Sequence, residues 1–123
     1  MTDPADLTAA LRAHAQGLYC LEAAIELLIS HGSWLRRDDF LHFVHTTPDL
    51  TNNTPMAPIH WPEALAALDR GQLPCSGSEA RMLRLSASLA EGIPVDLRAT
   101  LTGLDTSNAE LVSRAVKHAT GQQ

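Results

Sequence analysis

The chain has 123 residues, 45% apolar but only 4% aromatic, and its 9 Lys+Arg against 14 Asp+Glu leave a net charge of −5. That length suffices for one domain with a core that needs no disulfide or metal staple. The acidic balance opposes the phosphate attraction on which nonspecific nucleic-acid binding depends. With so few aromatics, Ala and Leu must fill the interior, which suits close-packed helices better than sheets.

Asp3 followed by Pro4 reads as the cap and first residue of a helix, because the carboxylate can accept a free backbone N–H and proline loses nothing there. Leu7, Leu11, His14, Leu18, Leu21, Ile25 and Leu28 then recur at alternating steps of four and three, predicting one long helix to about Ser30 with an apolar seam. Ala9, Ala13, Cys20, Ala24 and Leu27 make a second face of mostly small side chains that admits a neighbouring backbone. A helix apolar on two sides belongs at the centre of a bundle or at a subunit interface. Gly17 costs about 1 kcal/mol of helix propensity relative to Ala and marks a crossing point or kink.

Gly32 ends this helix, and Arg37 to His45 reads as a short second one, with Phe40, Leu41 and Val44 inward. Residues 46–61, rich in Pro, Asn and Thr, read as a long loop within the domain. Pro62 to Arg70 predicts a third helix. Ser76-Gly-Ser-Glu79 is a capping box opening a fourth, which runs to Glu91. Asp96 caps a short helix ending near Gly103, and Ser107-Asn-Ala-Glu110 suggests a second capping box before the final stripe of Leu111, Val112, Ala115, Val116 and Ala119. The expectation is an all-α single domain over residues 1–123, a bundle of about five to six helices.

Candidate chemistry is sparse. Asp38, His42 and His45 share one outer strip of the second helix, and two imidazoles with a carboxylate suit a divalent transition metal. The plainer reading is a solvated surface, and no cofactor is expected. Arg81, Arg84 and Arg98 flank a turn with loose helix-turn-helix spacing, which makes nucleic acid an alternative partner. Glu79, Glu91 and Asp96 surround these arginines and disfavour it.

His14, set where the seam expects leucine, would need a hydrogen-bond partner or stay neutral if buried, and can fix register at an interface. Trp34 and Trp61 flank the second helix and the loop, either pinning the loop to the core or anchoring a partner. Cys75 stands at the start of the fourth helix, where the dipole can lower a thiol pKa, but the sequence offers it no base. No nucleophile elbow, phosphate loop or metalloprotease helix is present, so the reading leans away from an enzyme.

Cys20 and Cys75 lie far apart without zinc-ligand spacing, and the early residues are acidic, with Arg12 and Glu22 interrupting the apolar stretch. Reduced thiols, a cytoplasmic setting and no membrane span are therefore expected. The leading expectation for function is a helical protein–protein interaction or adaptor module, homodimerisation being one form of it.

Four stretches, Cys20-Leu-Glu-Ala-Ala-Ile-Glu-Leu-Leu-Ile, Ser33-Trp-Leu-Arg-Arg-Asp-Asp-Phe, Leu73-Pro-Cys-Ser-Gly and Gly92-Ile-Pro-Val-Asp-Leu-Arg, together resemble small uncharacterised actinobacterial helical proteins. The resemblance implies a cytoplasmic bacterial protein from accessory or mobile genome regions. It brings no activity and no catalytic residue.

Overall fold

A computed structural model describes residues 4–48 and 55–122, so the expected cap Asp3 and the loop positions 49–54 lie outside the described residues. Seven α-helices are present among them: α1 (Pro4–Ala15), α2 (Tyr19–His31), α3 (Asp38–Leu41), α4 (Trp61–Asp69), α5 (Gly77–Glu91), α6 (Leu97–Leu101) and α7 (Thr106–Ala119). Two-residue strands β1 (Thr47–Pro48) and β2 (Pro55–Met56) add a small antiparallel ladder. The all-α expectation is met.

The single long N-terminal helix is not. The chain leaves helical geometry at residues 16–18, where Gly17 takes φ 92°, a left-handed value that costs an L-residue with a side chain about 1–2 kcal/mol. Arg12 and Glu26 show that the chain folds back. Fourteen residues along a straight helix span about 21 Å, yet Arg12 Nε donates to Glu26 Oε2 at 2.8 Å and its Nη2 to Oε1 at 3.0 Å.

The seam is consequently two seams. Leu7 and Leu11 on α1, and Ile25 and Leu28 on α2, are buried in one shared core, which answers whether they face this chain or another. His14 and Leu18, which the unbroken pattern would bury with them, are exposed. The inward face of α1 is set by Leu7, Ala10, Leu11 and Ala15, and His14 falls within the same helical arc yet is exposed, in the last turn beside the break in the helix.

α2 is the central helix. One of its faces sends Ala24, Ile25 and Leu28 into the larger core with Trp34, Phe40, Ile59, Trp61, Leu65 and Leu83. The other sends Ala23 and Leu27 into a second cluster with Met82, Leu85, Val112 and Ala115, so α5 and α7 close over it. Small residues at 23 and 24 let these neighbours approach closely. Gly32, at φ 84°, ends α2 with its N–H on the Leu28 carbonyl.

Trp34 opens a single 3-10 turn, Trp34–Arg36, and is fully buried. Its indole N–H donates to the Glu79 carbonyl at 2.9 Å, its ring lies 5.4 Å from that of Phe40, and the Arg37 guanidinium sits 4.6 Å above it. The turn is thereby tied to the start of α5, where the predicted capping box forms. Glu79 N–H donates to Ser76 Oγ at 3.1 Å, and Ser76 N–H to Glu79 Oε1 at 3.0 Å.

The segment expected as a featureless loop is partly a hairpin stem. Val44 bridges Ile59, Thr47 pairs with Met56, and Ala57 N–H donates to the Ala10 carbonyl at 3.1 Å, fastening the stem to α1. Prolines at 48 and 55 confine pairing to this short ladder because neither can donate a hydrogen bond. The second predicted capping box also shifts. Asp105, not Ser107, caps α7, accepting from Asn108 N–H at 2.8 Å, and Asn108 Nδ2 in turn donates to Ser78 Oγ at 2.8 Å.

Candidate functional site

α2 presents one polar strip to the surface, made by Glu22, Glu26 and Ser30, which are four residues apart and therefore in line. α1 flanks it on one side and α7 on the other. Between α1 and α2 lies a depression of about 430 Å³ lined by Ala9, Arg12, Ala13, Gln16, Glu22, Glu26 and His118. Between α2 and α7 lies another of about 230 Å³, lined by Ala23, Glu26, Leu27, Ser30, Leu111, Arg114, Ala115 and His118. They share Glu26 and His118, so the two form one surface groove with α2 along its middle.

The floor of the groove is apolar, four alanines (Ala9, Ala13, Ala23 and Ala115) beside Leu27 and Leu111, and its rim is ionic. Glu22 accepts from Gly17 N–H at 2.9 Å and faces His118 Nε2 at 2.7 Å. Those two hydrogen bonds, the backbone one foremost, hold its carboxyl below the ordinary carboxylate range. Arg12 is held above its ordinary value, first by its hydrogen bond to Glu26. Both members of that pair are substantially exposed, so it contributes under about 1 kcal/mol and serves mainly to fix the rim.

Tyr19 stands edge-on to the His118 ring at 6.1 Å. It is 52% exposed beside Leu18 at 60%, so a patch of large apolar side chains adjoins the groove at the α1–α2 turn. The longer-range pairings were hidden in the sequence, because they join residues 14 positions apart at Arg12 and Glu26 and 96 apart at Glu22 and His118. The hints were the second face, whose Ala9, Ala13 and Leu27 line the groove, and the polar Arg12 and Glu22 that interrupt the apolar stretch.

The other candidate residues are placed as follows. His14 is exposed and lies outside the chain's own core. Trp34 and Trp61 are 0% and 2% exposed, so both indoles are core residues and neither can anchor a partner on this surface. Arg81 and Arg84 come together beside the start of α6, in a depression of about 380 Å³ that Arg98 does not line. Arg84 is taken by Asp69 at 2.6 Å, and the Arg81 guanidinium fills the space where a Cβ on Gly103 would sit.

Asp38, His42 and His45 are all exposed, but α3 ends at Leu41, so the helical strip that would have aligned them does not exist. Among the described residues no group of three or more His, Cys, Asp or Glu is gathered as a metal site. His45 instead turns into the hairpin stem and meets His60. The Cys75 thiol is pushed up rather than down, first by burial and then by the Glu79 carboxylate, which overrides the helix dipole and leaves it a poor nucleophile.

No helix among the described residues is long and apolar enough to cross a membrane. Comparison with family models, with curated proteins and with solved structures finds no match. The likeness carried by the four sequence stretches therefore rests on those stretches alone, and the groove must be read from its own chemistry.

Proposed function

We propose that the chain is a helical protein–protein interaction module of the cytoplasm, and that the groove along α2 receives a helix from a protein partner, self-association being the first form to test. The observation that carries this reading is the pairing of a small-residue floor, Ala9, Ala13, Ala23 and Ala115, with a rim that alternates Arg12, Glu26, Arg114 and His118. Small floor residues admit a backbone closely, and a rim of both signs selects the register of a partner carrying complementary charges. The apolar seams do not carry it, since the chain's own core consumes them.

Ala9 is exposed, so an Ala9→Glu variant obstructs the groove without touching the core. Light scattering over a concentration series and pull-down from the native host are run on both proteins. Self-association, or a partner held by the wild type and lost from the variant, supports the reading. A strict monomer with no protein that distinguishes the two refutes it.

The nucleic-acid alternative has one favourable observation, the shared depression of Arg81 and Arg84. Against it stand the ion pair of Arg84 with Asp69, the separate placement of Arg98 and the net charge of −5. Absence of duplex binding at low salt would end it.

A further inference from the structure

The hairpin stem places two imidazoles together on its outer side. The His45 backbone N–H donates to the Pro58 carbonyl at 2.9 Å and the His60 backbone N–H to the Phe43 carbonyl at 2.8 Å, on either side of the Val44–Ile59 bridge. Side chains alternate across a strand pair, so with Ile59 buried and Val44 half-buried, His45 and His60 are diagonal neighbours on the opposite, solvent face. Their rings are 6.2 Å apart at 66°, and both residues are exposed.

We propose that His45 and His60 form a two-imidazole chelating site for a borderline-soft divalent transition cation, with Zn²⁺ the type ion. Two imidazoles bound to one tetrahedral zinc, each with a metal–nitrogen distance of about 2.0–2.1 Å, hold their ring centres roughly 5–6 Å apart. The observed separation is reached from there by small rotations of exposed side chains, while the backbone that carries them is fixed by the stem. Imidazole suits zinc, copper and nickel over the harder magnesium and calcium. No third His, Cys, Asp or Glu joins the pair among the described residues, so water completes the coordination. The site replaces the helical Asp38, His42 and His45 arrangement and is independent of the groove along α2.

The test titrates Zn²⁺ alone into the untagged full chain while the imidazole ¹H–¹⁵N resonances of all six histidines are followed. His45 and His60 are expected to move together along one saturable curve. His60→Gln should abolish the His45 response, and His45→Gln the His60 response. Either change should weaken binding by about tenfold or more, since loss of even an outer-shell partner costs that much. His42→Gln should leave the curve unchanged. Neither imidazole caps a helix, so the variants keep the fold, which their backbone amide spectra report. No saturable response, an undiminished His45 response in His60→Gln, or parallel movement of all six histidines would overturn the proposal.

Discussion

Replacing Gly17 with alanine weighs two architectures against each other, because they predict opposite signs. In an unbroken N-terminal helix, alanine in place of an interior glycine would stabilise the protein by about 1 kcal/mol. In the structure, Gly17 has φ 92° and a Cβ built there meets nothing within 4 Å, so no steric clash enters and the cost is that of the left-handed backbone alone. That cost is about 1–2 kcal/mol of destabilisation. The Gly17 N–H still donates to Glu22 in the variant, so the rim of the groove is undisturbed. Urea unfolding with an unchanged m-value should show the loss directly, and a thermal scan should fall by roughly 4–8 °C for a chain of this size. Asparagine, which tolerates the left-handed region better, should lose less than alanine. A variant as stable as the parent, or more stable, would refute the turn between α1 and α2.

Acidification should expose His31. Its pKa is lowered chiefly by burial, with Arg36 adding to the depression while Glu79 and Asp105 oppose it, and its buried Nδ1 has no hydrogen-bond partner among the described residues. The unfolded chain therefore takes up this proton near the ordinary 6.5 and the folded chain only at lower pH. Stability falls as pH drops from about 6.5 through the folded value, and is indifferent to this group above it. Urea midpoints at about pH 7.5 and about pH 5.5 should differ less in His31→Gln than in the parent, and an equal difference would count against the burial argument. At the start of α7, Asp105→Ala should cost about 1 kcal/mol and Ser107→Ala only a few tenths, as denaturation of the two variants will show. The reverse order would restore the capping box at Ser107.

How much of this was legible depended on the range of the interaction. Helix starts were readable where one side chain satisfies a nearby amide, as at Ser76 and Asp96. At α7 two adjacent solutions competed, and Asp105 wins while its partner Asn108 reaches across to Ser78 on α5, a contact no local rule contains. The break after Ala15 was hidden by arithmetic. Three non-helical residues advance the chain by nearly one 3.6-residue turn, so leucines of two helices facing the same core continue a single apparent repeat. The stem went unread because two-residue strands holding prolines show no alternation. Arg12 with Glu26, Glu22 with His118, and His45 with His60 exist only once the chain has turned.

This order of dependence bears on function. A helix apolar on two faces left open whether its surplus surface meets this chain or another, and α2 resolves the matter by packing one face into each of two cores. The two apolar faces of α2 are thus spent on folding, and the recognition proposed above falls to the strip of α2 that neither core claims. Glu22 there is held by Gly17 N–H across the first turn and by His118 from the far end of the chain, and Glu26 by Arg12. The turn at Gly17 is therefore the step on which the groove depends. If the helix ran straight, Arg12 would lie about 21 Å from Glu26 and the depression between α1 and α2 would not exist. The same alanine substitution that reports on the fold consequently reports on the proposed partner. Since the Gly17 N–H still reaches Glu22 in that variant, the folded protein should keep its binding while losing stability, and a loss of binding as well would show that the turn itself has changed.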